Sequence, residues 1–287
     1  MKKLFLSLSV FCLAATVFAL PDLIERQIFN SQNIKNIDLN LIWEDIKIQE
    51  SPDDDNIVVE IYCNNEKAAP KIQKSNSSIA VKSVNTKNFL FIGPTRICTV
   101  IVKLPVTLNL EKIDLSTTSG DISADLICAQ TLKASSTSGR IKFSNIKVEQ
   151  AKIGTTSANI TVEGLISNEF NISCTSGMIN LDLDDVPSSN SSAQTTSGNI
   201  FLGLPGNSSF KLKADTTSGT FINTFTNEKI GDHADYKREI NNGGTTIKLS
   251  ATSGRITVDA TDGVTTKALN PTTDSDIPVV SFDDPIF

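Results

Sequence analysis

Apolar residues along this chain recur in short alternating bursts arranged around a fixed polar phrase. The phrase is Thr-Ser-Gly, closed at Gly120, Gly139, Ala158, Gly177, Gly198, Gly219 and Gly254, with alanine in one copy. The steps between these positions are 19, 19, 19, 21, 21 and 35 residues. Two and four residues after each closing position stand Ile122/Ala124, Ile141/Phe143, Ile160/Val162, Ile179/Leu181, Ile200/Leu202, Phe221/Asn223 and Ile256/Val258. Seven and five residues before it stand Ile113/Leu115, Leu132/Ala134, Ala151/Ile153, Phe170/Ile172, Ser191/Ala193, Leu212/Ala214 and Ile247/Leu249. Period-two alternation on both sides of a fixed turn predicts strand, turn, strand, with one face of each strand buried.

A unit of two short strands cannot close a core by itself. Stacked copies bury a continuous apolar ladder and pair each strand with its equivalent in the next coil. The pattern therefore predicts an all-β protein: a parallel β-solenoid, roll- or helix-like, of about seven coils of 19–21 residues. A sandwich of hairpins would also alternate, but it supplies no reason for a constant period. In this reading the phrase is a structural turn ladder: Ser119, Gly120, Ser138, Gly139, Ser157, Ala158, Ser176, Gly177, Ser197, Gly198, Ser218, Gly219, Ser253 and Gly254. The glycines are expected to take the corner at positive φ, which costs glycine little. The serines are expected to tie the corner through hydrogen bonds, and the threonines before them to form one outward column.

Residues 20–110 lack the phrase but keep strand patterns, as in "NIKNIDLNLIWEDIKIQES" and "RICTVIVKLP". They read as irregular coils or as an N-terminal cap; the repeat solenoid follows at 111–261. Within it, 223–246 reads as a long loop carrying His233 and Tyr236, and a loop leaving a regular scaffold is where binding would be sought. The tail, 262–287, is rich in Thr, Asp and Pro and reads as flexible.

The chain opens "MKKLFLSLSVFCLAATVFAL", with two lysines, an apolar run and small residues at Val17 and Ala19. This predicts a secretory signal peptide, residues 1–19, and no transmembrane segment after its cleavage. Export to the periplasm or outer surface of a bacterium follows. Losing Lys2 and Lys3 moves the formal net charge from −6 to −8; without a basic cluster, that excludes nucleic acid as a natural partner. Export also permits disulfides, and Cys63 with Cys98, both on predicted strands, is the preferred pair. Cys174 takes an inward small-residue place and reads as a buried thiol, Cys128 as part of the opposite turn.

Candidate chemistry is sparse. No cysteine lies in CxxC or Cys/His spacing, so no metal site is expected, and no cofactor motif occurs. Asp182, Asp184 and Asp185 are the nearest approach to the two converging carboxylates of a β-helix carbohydrate enzyme. Their alternation with Leu181 and Leu183 instead suits a solvated strand face, so no catalytic residue is assigned. Ice or ordered-water binding would need at least two parallel threonine columns, and the neighbouring position (Ser116, Ser135, Gly154, Ser173, Gln194, Asp215, Ser250) is mixed.

"LPGNSSFKLKADTTSGTFINTF" and, after the gap, "GGTTIKLSATSGRITV" resemble the bacterial putative-adhesin family of the domain-of-unknown-function-4097 type. The resemblance runs from about Phe29 to Ala260. It implies a solenoid-like fold, envelope association and a non-enzymatic interaction role with an unidentified protein or glycan, and it brings no catalytic residues. Only Asp121 keeps the acidic residue after the glycine; Arg140, Asn159, Met178, Asn199, Thr220 and Arg255 replace it. The residues set no oligomeric state.

Overall fold

The structure, a computed structural model, describes residues 21–84, 97–231 and 233–261; the expected signal peptide and the tail 262–287 lie outside them. In chain order its strands are β1 (Asp22–Asn30), β2 (Asn36–Asn40), β3 (Asp45–Glu50), β4 (Asn56–Cys63), β5 (Lys71–Lys74), β6 (Ser78–Lys82) and β7 (Cys98–Leu104). The repeats then supply β8 (Leu110–Thr117), β9 (Ile122–Ala124), β10 (Ile127–Ser136), β11 (Ile141–Thr155), β12 (Ile160–Ser176), β13 (Ile179–Leu183), β14 (Ser191–Ser197) and β15 (Ile200–Pro205). The chain closes with β16 (Phe210–Ser218), β17 (Phe221–Asn223), β18 (Glu228–Ile230), β19 (Asp235–Ile240), β20 (Thr246–Ser253) and β21 (Ile256–Thr261). Two single turns of 3-10 helix, Ser31–Asn33 and Glu66–Ala68, complete the described elements.

All the strands belong to one continuous sheet that folds on itself as two ladders of mostly parallel strands. The ladder before the corner runs β5–β6–β2–β8–β10–β11–β12–β14–β20–β16–β19, and the ladder after it runs β1–β4–β7–β3–β9–β11–β12–β13–β15–β21–β17–β18. β11 and β12 are long enough to serve both. In-register pairing stacks equivalent residues: Ile122, Ile141, Ile160, Ile179, Ile200, Ile256 and Phe221 follow one another across the second ladder. Each of the apolar positions read from the repeat is buried, as are Ser191 and Asn223, which take core places with polar side chains. Both are satisfied locally. Ser191 Oγ accepts from the Phe170 N–H and donates to the Ser189 carbonyl, and Asn223 donates to the Tyr236 hydroxyl and accepts from the Phe225 N–H.

Two features depart from a simple stack. First, spatial order differs from chain order at both ends. The coil β2–β3 lies between β6/β7 and β8/β9, and the last coil, β20–β21, lies between β14/β15 and β16/β17. Second, residues 223–246 are not a long loop. β18 and β19 turn back antiparallel onto β17 and β16, and Ala234, Tyr236 and Ile240 enter the core. The segment is apolar enough to complete the exposed end of the solenoid, so it folds over that end as a lid of two strands. At the other end β4 pairs antiparallel with β7 and β1 with β4, while β5 pairs antiparallel with β6. The facing residues Cys63 and Cys98 of β4 and β7 are joined by a disulfide.

Candidate functional site

The Thr-Ser-Gly corners bring every copy of the phrase into a single stripe along the solenoid, in the order 118–120, 137–139, 156–158, 175–177, 196–198, 252–254 and 217–219. The glycine places explain the stripe's geometry, only in part as the sequence suggested. Gly177, Gly198, Gly219 and Gly254 have φ between 147° and 156°, whereas Gly120 and Gly139 are not at positive φ. Ala158 is also absent from the positive-φ residues, so it carries no left-handed strain. What the six glycines share is proximity. A Cβ on any of them would overlap the backbone carbonyl of the corresponding residue in the adjoining coil: Glu44, Gly120, Ala158, Gly177, Gly198 or Gly254. The phrase needs glycine chiefly because successive backbones touch there.

Among the described residues the serine side chains do not tie the corners. Ser119, Ser138, Ser157, Ser176, Ser197, Ser218 and Ser253 are exposed, as are the threonines before them. The binding hydroxyl belongs to the buried residue three places before the closing position. Thr117 Oγ1 accepts from the Gly120 N–H at 3.2 Å and Ser136 Oγ from the Gly139 N–H at 2.8 Å. Both hydroxyls also donate to the carbonyl of the coil beside them, Glu44 and Gly120. Cys174 fills this place as a free buried thiol, 3.2 Å from the Ala158 carbonyl, and burial pushes its pKa up. In later coils the glycine N–H turns to backbone instead, Gly177, Gly198 and Gly254 donating to the carbonyls of Ser197, Ser253 and Ser218, while the Thr195 and Thr216 hydroxyls donate to the carbonyls of Gly177 and Gly219.

The residue after the glycine has a different task from an acidic binding column. Asp45, Asp121, Asn159 and Asn199 each accept, through a side-chain oxygen, the N–H of the equivalent residue in the next coil: Asp121, Arg140, Met178 and Arg255, at 2.7–2.9 Å. Aspartate and asparagine serve equally, which is why the charge is dispensable at this position. Sequence reasoning missed this ladder because its members alternate with Arg140, Met178 and Arg255.

The stripe thus presents two adjacent exposed columns, one of threonine and one of serine, repeating at the strand spacing of ~4.8 Å. It starts beside Ile42, which is 47% exposed and whose carbonyl accepts from the N–H groups of Thr118 and Ser119.

Other singled-out residues fall elsewhere. Tyr236 is core, packed on Phe221 with ring centroids 4.4 Å apart. His233 is an exposed turn residue with φ 63°. Cys128 lies on β10, not in a turn. Asp184 and Asp185 border a shallow groove of about 730 Å³ with Pro205, Asn207, Ser209 and Thr261; burial first, and Asp182 second, raise the Asp184 pKa. Among the described residues no group of three or more His, Cys, Asp or Glu side chains is placed to hold a metal ion. No helix there is long and apolar enough to cross a membrane.

The model of the Toastrack DUF4097 family matches residues 34–259. Among solved structures, a putative cell adhesion protein from Clostridium sporogenes ATCC 15579 is 13% identical, with a TM-score of 0.42, over 84% of this chain and 100% of its own. A putative adhesin from Bacteroides fragilis NCTC 9343 is 14% identical, with a TM-score of 0.43, over 82% and 96%. A putative lipid binding protein from Parabacteroides distasonis ATCC 8503 is 10% identical, with a TM-score of 0.41, over 82% and 96%. No curated protein matches the sequence.

Proposed function

Since the chain belongs to the Toastrack DUF4097 family, whose fold is a scaffold with its inward positions committed to a core, we propose that it is an exported, non-enzymatic interaction protein of the bacterial envelope. Its ligand would be a protein or glycan held on the outer face of the solenoid. The observation that carries this reading is the pair of exposed threonine and serine columns. They offer a regular row of hydroxyl donors and acceptors to a partner of extended, repetitive form, and their side chains are not consumed by the fold. The leader-like first 19 residues support export, and the disulfide between Cys63 and Cys98 suits an oxidising compartment.

The test is fractionation of intact cells with protease shaving, followed by capture on purified envelope polysaccharide and protein fractions. Binding that falls at least tenfold when Thr156, Thr175 and Thr196 are replaced by lysine supports the stripe. Retention that is indifferent to these changes removes it. A polysaccharide-hydrolase reading has one observation in its favour, the raised carboxyl of Asp184 beside Asp182. Turnover of a glycan, lost in Asp184→Asn, would establish that reading and overturn the non-enzymatic one.

A further inference from the structure

The two ends of the solenoid are finished differently. At the C-terminal end the outermost strand β19 presents Asp235, Lys237, Arg238 and Glu239, all exposed and engaged in ion pairs with Asp235, Glu228 and Lys211. Charged side chains on an edge block pairing with another strand. At the N-terminal end the outermost strand β1 pairs with β4 on one side only. It carries Asp22, Glu25 and an Arg26 paired with Glu60, but it also leaves Leu23 48% and Ile28 55% exposed, apolar side chains beside a free backbone edge that an added strand could cover.

The neighbouring edge strand β5 carries a second unmet demand. Lys71 faces Lys82 directly across the β5–β6 pair. Both are exposed, and neither they nor Lys74 are ion-paired among the described residues. Like charges directly opposite are destabilising until an anion meets them. The two edges meet at Lys74, whose ammonium lies 5.6 Å above the ring of Phe29 on β1. This end therefore asks for an apolar strand with acidic flanks.

The chain has such a segment. Ile277-Pro-Val-Val-Ser-Phe282 is flanked by Asp274 and Asp276 on one side and by Asp283 and Asp284 on the other. It follows Thr261, the end of β21, by a spacer of 15 residues (262–276) that spans at most about 54 Å. A strand laid outside β1 of the same molecule is ten strand steps from β21, about 48 Å at ~4.8 Å each. The spacer would have to be drawn almost straight. In a second copy stacked beyond β18, the distance is only a few strand steps.

We propose that residues 277–282 of one molecule add as a strand to the β1 edge of a second, joining copies C-terminal end to N-terminal end. Such a contact uses two different surfaces and does not close on itself, so it builds linear chains.

Sedimentation velocity on the exported chain at about 1–100 μM tests this. The wild type is expected to gain mass with concentration. V280D/F282D, which spoils the added segment, and L23K/I28K, which spoils the edge, should each stay monomeric. Mixed one to one, they should form a dimer that grows no further, because each supplies the surface the other lacks. A fluorescent peptide of residues 274–287 should bind V280D/F282D at least tenfold more tightly than L23K/I28K. Thermal melts of L23K/I28K should match the wild type, since Leu23 and Ile28 are exposed. Wild type that is monomeric throughout, association that survives either double substitution, or a mixture that remains monomeric would each overturn the proposal. Association that survives V280D/F282D but is lost in L23K/I28K would mark a symmetric β1-to-β1 contact instead.

Discussion

Gly139 has no unusual φ, yet it is among the least replaceable residues in the molecule. A methyl group there would enter the carbonyl of Gly120, and backbone held by ladders on both sides cannot give way. Gly139→Ala is expected to destabilise folding by about 3 kcal/mol, read as a lower midpoint in urea. Gly231→Ala, where nothing lies within 4 Å of the added atom, should change stability by less than about 0.5 kcal/mol. The same reasoning explains the difference between expectation and structure at the serines. An invariant residue in a repeat invites the reading that it holds the turn, but in an alternating strand the inward neighbour does so. Thr117 and Ser136 lie on the buried side of the alternation and bond the corner, while Ser119 and Ser138 lie outside it.

At the scale of elements, the strands of the repeat were legible because one face of each is buried and the period is constant. Ile141, Phe143, Ile160 and Val162 occupy the core places their spacing assigns. The closing strands were not legible. In "NEKIGDHADYKREI" the buried side is marked by Ala234, Tyr236 and Ile240, with the exposed Arg238 breaking the alternation between the last two, and edge strands need charge on the other side. Their polar network carries the lid: Tyr236, Thr226 and Arg238 all hydrogen-bond the Glu228 carboxylate. These bonds, with that from Tyr236 the largest influence, lower its pKa from 4.5 to about 2. A carboxyl whose pKa falls on folding stabilises the folded form above its unfolded pKa and loses that contribution as pH drops through the folded value. The lid should therefore loosen between about pH 4.5 and pH 2. Protection factors of the β18 and β19 amides, taken relative to the intrinsic exchange rate at each pH, should fall across that window in the wild type. In Glu228→Gln they should already be lower at pH 7 and change less with acid.

For the whole molecule, the sequence pattern established a stack but left its order open. Equivalent coils share the same inward residues, so Ile200 packs as well against Ile256 as Phe221 does, and nothing local distinguishes a neighbour in sequence from a neighbour in space. The candidate surface was legible in part. The threonine column followed from the register, whereas the exposed serine column required knowing which hydroxyl the corner uses. The N-terminal end is held by a covalent link as well as by pairing. Cys63–Cys98 closes a sequence separation of 35 residues and contributes about 4 kcal/mol in the chain-entropy account. Reduction, or Cys63→Ser with Cys98→Ser, should lower the melting temperature while leaving exchange at β14 and β20 slow until global unfolding.

The inward placement of the last coil also constrains how the molecule is made. β16 and β17 are synthesised before β20 and β21, yet their final partners on the inner side are those later strands. A chain folding as it emerges can stack coils only as far as β15. The remainder has to wait for about 50 further residues and then close as a unit, with β20 and β21 slotted between two existing coils. Synthesis and completion of the fold are thereby tied in time: β16 to β21 reach their native pairing only after Thr261 has emerged.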